Sequence, residues 1–300
     1  MLKIAWHPFY SHPLPQGHRF PMEKYNLLPE QLMYEGTIGS GNLFEPTPIL
    51  EADVLLTHDE VYWHKLKTLN LSRLEERKTG FPLSRQLVDR EMVIMQGTLD
   101  AAHYALKHGA AMNIAGGTHH AYSFRGEGFC LLNDIALAAN CLLNRDTVKK
   151  VLVVDLDVHQ GNGTAQIFAH EPRVFTFSMH GEKNYPHPKE KSDLDIGLPD
   201  HCNDDLYLKT LRKELPKLIQ QTEPDIVFYQ CGVDVLHSDK LGRLGLTLEG
   251  CKERDRFVLE QCKLNKLPVV CSMGGGYSEK ISIIVDAHAN TYRLAQEIFF

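Results

Sequence analysis

The chain has 300 residues, 43% of them apolar, which is enough for one large core; it has no 18-residue apolar run to cross a membrane and no leading apolar stretch of signal-peptide type. A formal charge of -6 leaves no basic stripe for direct nucleic-acid binding and no polybasic membrane anchor, and it mildly favours cationic partners. Seven widely spaced cysteines with no Cys-x-x-Cys pair predict reduced thiols in a cytoplasmic protein, with Cys130, Cys231 and Cys271 as small core residues. Short apolar runs recur at 2–6, 54–56, 112–115, 151–156, 174–177, 226–229 and 268–272 and read as strands. Apolar residues at helical spacing fill 97–108, 133–143, 204–220, 248–264 and 279–298. This alternation predicts a single α/β domain over residues 1–300, with a mostly parallel central sheet flanked by helices. The Pro- and Gly-rich stretches 8–29, 36–48 and 185–199 are expected to be long surface loops, a length that favours a functional role.

In such sheets ligands gather at the carboxyl ends of the strands, and four motifs fall there. The first is GGTHHAYSFRGEGFC, residues 116–130, in which His119 and His120 have no helical periodicity around them. Adjacent imidazoles suit proton transfer beside a metal, although a solvated loop is the plain alternative. Gly128 and Phe129 in the same stretch fit either the wall of a narrow channel or ordinary packing. The second motif is VLVVDLDVH, residues 151–159, whose buried-strand pattern closes on Asp155, Asp157 and His159. Two acids ending an apolar strand need a counter-charge, and Asp157 with His159 offers the oxygen and nitrogen donors of a zinc-type site. Asp234, just past the run 226–229, is the expected third ligand, although taken alone it reads as a turn or cap aspartate. The fourth motif, SMGGGY at 272–277, brings backbone close to a ligand and offers the Tyr277 phenol to a developing oxyanion. It lacks the Lys-Ser/Thr of a phosphate loop and the spacing of a dinucleotide fingerprint.

The His-His pair, the GFC after it, Asp-x-Asp-x-His, Gly-Val-Asp and GGGY, in this order over nearly the whole chain, resemble the zinc-dependent histone deacetylase family. The resemblance implies an arginase/deacetylase-type fold, one catalytic Zn2+, and removal of an acyl group from the ε-amine of lysine in proteins or from a similar acylated amine. It implies Asp157, His159 and Asp234 as zinc ligands, His119 and His120 as the dyad, and Tyr277 as the phenol that polarises the carbonyl. Asp155 would orient His119, Phe129 would wall the tunnel, Leu241 would line it, and the Gly128 carbonyl would hold the substrate amide. A structural K+ would be held by Asp155, Asp157, His159, Ser178 and Met179. One departure stands out: where many relatives have a second aspartate behind the second histidine, this chain has Asn162, so His120 is expected to stay neutral to lower pH. With Gln160 and GHRFPMEKY at 17–25, this places the resemblance nearest the class IV branch and its bacterial relatives.

The loops around residues 10–20 and Tyr185 are expected at the rim, Tyr185 as an aromatic wall. Acetylated polyamines are an alternative substrate class. A binuclear manganese ureohydrolase needs Asp-x-His-x-Asp, and Gly161 stands where its closing aspartate belongs. A non-catalytic acyl-lysine-binding module is the third alternative. Histones as targets, acyl-chain length and oligomeric state have no signature in these residues.

Overall fold

A computed structural model describes residues 1–300. Its eight strands are β1 (Lys3–Ala5), β2 (Leu43–Phe44), β3 (Ala110–Asn113), β4 (Val151–Asp155), β5 (Val174–Gly181), β6 (Leu194–Leu198), β7 (Ile226–Gln230) and β8 (Val269–Ser272). They form one sheet in the order β2-β1-β3-β8-β7-β4-β5-β6, and every pairing is parallel. The four central strands, β3, β8, β7 and β4, are buried at every residue because helices cover both faces, which explains their unbroken apolar runs. These are also the strands that lead into the four motifs. Their order in the sheet makes neighbours of turns far apart in sequence, so that the segments after Asn113 and Ser272 leave the sheet side by side at its carboxyl end.

The helices match the apolar spacing best where a side chain caps them. Asn133, Asn203 and Thr247 accept the first free amides of helices Asp134–Asn144, Asp204–Thr222 and Leu248–Leu264. The pattern at 97–108 is only the second half of a 24-residue helix, Arg85–His108. Gly97 lies inside it because a Cβ there would collide with the Tyr10 hydroxyl, so this glycine marks close packing and not a helix start. The run 54–56 is not a strand. Glu51–Val54 is a short helix with acids in its first turn, and only Val54 of the three apolar residues is buried. Two stretches expected as loops contain the edge strands β2 and β6, whose half-exposed side chains leave no apolar run to read. The 8–29 stretch runs into helix Lys24–Tyr34. All seven cysteines are buried and unpaired, and no helix is long and apolar enough to cross a membrane.

One buried ion pair braces the turns after β4 and β7. The Arg254 guanidinium, fully enclosed, donates to the carbonyls of Leu156 (3.1 Å), Gly232 (2.6 Å) and Cys231 (3.3 Å), and through Nε to Asp255 (2.8 Å). Asp255 also accepts from the hydroxyls of Tyr229 and Thr291, so its charge is fully compensated. Replacing Arg254 strands a buried carboxylate and three carbonyls. Arg254→Met is expected to lower unfolding stability by about 3–5 kcal/mol, read as an earlier midpoint in chemical denaturation.

Candidate active site

Beyond β4 the chain bends through residues 157–159, with the His159 amide folded onto Asp157 Oδ1 at 3.0 Å, and this turn brings the Asp157 and His159 side chains together. Asp234 arrives from the turn after the adjacent β7, and one donor atom from each of the three residues lies within 4.8 Å of the others. His159 Nδ1 is 3.1 Å from Asp157 Oδ1 and 3.2 Å from Asp234 Oδ2. Asp157 and Asp234 are both almost wholly buried. Backbone amides offset part of their charge: His159 and Gly275 donate to Asp157 and Val158 donates to Asp234 Oδ1, each at 3.0 Å. Asp234 Oδ2 is left without a well-formed hydrogen bond.

The electrostatics of this pocket call for positive charge. Burial and the neighbouring Asp157 push Asp234 up to about 7. Burial opposes a proton on His159, yet the two carboxylates overcome it and push that imidazole up to about 10. A field that holds a proton there also favours a cation, which takes the proton's place on the ring nitrogen. Gly275 passes so close that a Cβ would fall onto Asp234 Oδ2, keeping space around the orphaned oxygen. Two carboxylate oxygens and one imidazole nitrogen in this space fit a small divalent cation of the zinc type.

His119 and His120 follow β3, their ring centres 4.1 Å apart, in different surroundings. His119 Nδ1 lies 2.7 Å from Asp155 Oδ2; against the opposing effect of burial, Asp155 and Asp157 push this ring up to about 9. His120 is held well below 6.5 by burial and by the positive charge of its two histidine neighbours. Its Nδ1 is 2.6 Å from Asn162 Oδ1, and the Asn162 amide nitrogen donates to Glu127 Oε1 (2.7 Å) and to the Tyr122 hydroxyl (3.1 Å). This chain of contacts fixes the tautomer. Glu127, paired with Arg125 at 3.0 Å, can only accept, so the Asn162 NH2 faces it and the Asn162 oxygen faces His120. His120 Nδ1 therefore carries the proton, and Nε2 presents its lone pair.

Phe129 forms one wall, packed on Phe20 and Phe81 with ring centres 5.3 Å away in each case and 6.0 Å from Tyr277. Tyr185 stands edge-on to His120 at 5.0 Å, with its hydroxyl on Glu127. Gly128, Leu241 and Tyr277 line the same mouth. Ser178 and Met179 lie on β5 beside β4; Asp155 and Ser178 are register partners, and the Ser178 hydroxyl is 2.9 Å from His180. The sequence-predicted residues thus converge, and three further ones join them. Glu127 backs Asn162, Asp239 accepts the Tyr277 amide (2.6 Å), and the buried Lys24 ammonium donates to the Gly274 carbonyl (2.9 Å). None carries a periodic or spacing signal. Glu127 and Lys24 fall inside the stretches 116–130 and 17–25 singled out above, but nothing there distinguishes them from their neighbours, and all three are identified only by what folds against them.

The chain matches the model of the histone deacetylase domain over residues 18–292. It is 43% identical over 296 residues to an uncharacterized protein of Picosynechococcus, covering 99% of each chain. It is 29% identical to histone deacetylase 2 of Arabidopsis thaliana, covering 92% of this chain and 74% of that one. Among solved structures, an HDAC homolog complexed with SAHA superposes with a TM-score of 0.86 at 24% identity, covering 99% of this chain and 84% of that one. The HDAC homolog from Aquifex aeolicus gives 0.84 at 24% identity, covering 98% and 84%. The structural likeness concerns the arginase/deacetylase-type fold, and the domain match carries the assignment: this chain belongs to the histone deacetylase family and is a hydrolase acting on amide bonds.

Proposed function

We propose that the chain is a zinc-dependent deacylase that frees the ε-amine of acyl-lysine in proteins or peptides. The observation that carries this reading is the placement of His120: a buried imidazole whose Nδ1 is tied to Asn162 Oδ1 at 2.6 Å, leaving Nε2 free beside an Asp-His-Asp cluster. Asp157, His159 and Asp234 would hold the ion. When bound, a zinc ion supplies Lewis-acid polarisation of the acyl carbonyl and makes water acidic enough to attack near neutral pH.

The protein's own groups do the rest. His120 Nε2 takes a proton from water as oxygen adds to the carbonyl carbon, and returns it to the amine as the C–N bond breaks. His119, held as an imidazolium by Asp155, stabilises the negative charge of the tetrahedral state. The Tyr277 phenol, kept protonated by burial and by Asp234 and Asp157, donates to its oxyanion. Phe129 and Tyr185 confine the aliphatic stem, Leu241 lines the mouth, and the Gly128 carbonyl accepts the substrate N–H. A structural potassium ion belongs to the same reading, and Asp155, Asp157, His159, Ser178 and Met179 would hold it; Asp155 at the end of β4 is the register partner of Ser178 within β5. A single three-donor cluster with Gly161 beside it argues against a binuclear manganese centre. Seven buried unpaired thiols suit a reducing, cytoplasmic setting.

Three outcomes test the reading. Tyr277→Phe is expected to lower kcat on an acetyl-lysine peptide by about a hundredfold or more, the effect of removing one oxyanion donor. Dialysis against a chelator is expected to abolish hydrolysis, and one equivalent of Zn2+ per chain to restore it; a need for two manganese ions would contradict the assignment. Because the His120 pKa is depressed, its neutral form survives to below pH 6.5, and kcat/KM is expected to fall only as the pH drops past that value. An acid limb centred above 6.5 would show that His120 is not the base.

A further inference from the structure

The net charge of -6 points toward cationic partners, but the mouth of the site has the opposite character. Five cationic side chains line it, Arg19, Lys78, Lys183, Lys240 and Arg243, and no carboxylate does. They come from separate segments: the loop before the first helix, helix Arg73–Thr79, the turn after β5 and the turn after β7. All five are exposed.

Little in the protein neutralises them. Arg243 (2.7 Å) and Lys183 (3.9 Å) share one carboxylate, Asp200, which lies outside the mouth. Asp239, next to Lys240 in sequence, is committed to the backbone amides of Leu241, Gly242 and Tyr277. Arg19 lies over the Phe129 ring at 5.1 Å, which holds its guanidinium at the tunnel wall. Lys78 is fixed to the lip from the other side, since its carbonyl accepts the Gly128 amide at 3.0 Å. Arg19, Lys78 and Lys240 thus surround the entrance with no acid paired to them. A concave entrance of one sign focuses its field on whatever enters.

We propose that this mouth selects its substrate by charge, favouring acyl-lysine flanked by aspartate or glutamate in an acidic peptide segment over acyl-lysine in basic sequence or an acylated polyamine. The inference rests on the deacylase reading above and specifies its substrate class. The acyl-lysine stem is neutral and passes the aromatic walls, while residues on either side of it remain at the rim. There acidic side chains meet Arg19, Lys78 and Lys240, whereas a polyamine brings further ammonium groups into the same field.

The test uses the zinc-loaded protein and three acetyl-lysine peptides of one sequence, with the residues flanking the acetyl-lysine all Glu, all Gln or all Lys, together with N-acetylspermidine. At low ionic strength kcat/KM is expected to fall in the order Glu, Gln, Lys, spanning about tenfold, mainly through KM, and to converge at about 0.5 M salt. The double variant Lys78→Glu with Lys240→Glu, checked for an unchanged unfolding midpoint, is expected to reverse the order. Equal kcat/KM across the peptides, an order that survives the double variant, or faster turnover of N-acetylspermidine than of the Glu peptide would overturn the inference and leave the deacylase reading standing. No hydrolysis in any arm would remove both.

Discussion

Two carboxylates buried side by side are the most unfavourable arrangement in this molecule, and much of its architecture answers to them. Asp157 and Asp234 lie where water cannot solvate them, so the protein must supply the compensation. Part comes from the amides of Val158, His159 and Gly275, aimed by the turns after β4 and β8. Arg254 braces the turns after β4 and β7 from behind by holding their carbonyls, and so steadies both acids. The remainder is positive charge between the acids, the quantity a catalytic cation provides.

The two histidines show how neighbouring residues of one type acquire different roles. His119 rests on a carboxylate and is pushed up; His120 rests on an amide and is pushed down, so one favours holding a proton and the other favours accepting one. Asn162 is intelligible only with Glu127. An aspartate at 162 would set two carboxylates against each other at the 2.7 Å where an amide now donates, so the amide turns a repulsion into a hydrogen bond. The acidic group missing from position 162 is thus present, but one side chain further from the imidazole.

Central strands and capped helices were legible because burial on both faces writes long apolar runs and caps leave fixed residue types at fixed positions. The metal-type cluster was legible for a related reason: Val151–Val154 ends abruptly on acids that an apolar strand cannot otherwise tolerate. Edge strands β2 and β6 were not, being short and half exposed, and the run 54–56 misled because three residues are too few to separate strand from helix. Glu127, Asp239 and Lys24 escaped because their roles are made by contacts across 35 residues or more, which no local pattern records. Total charge is silent in a similar way, since a sum over the chain contains nothing about where the cations stand.

Sheet order carries one more consequence. β8 comes after the other seven strands in chain order, yet it lies in the middle, between β3 with its histidines and the β7-β4 pair with its acids. β8 is the strand that hydrogen-bonds to both β3 and β7, so the histidines and the acids stand on two half-sheets that it alone joins. Its place between them sets the halves in register, and the loop that follows it supplies the Gly275 amide and Tyr277 to the pocket. Amidase capability is therefore a property of the closed sheet and of neither half alone.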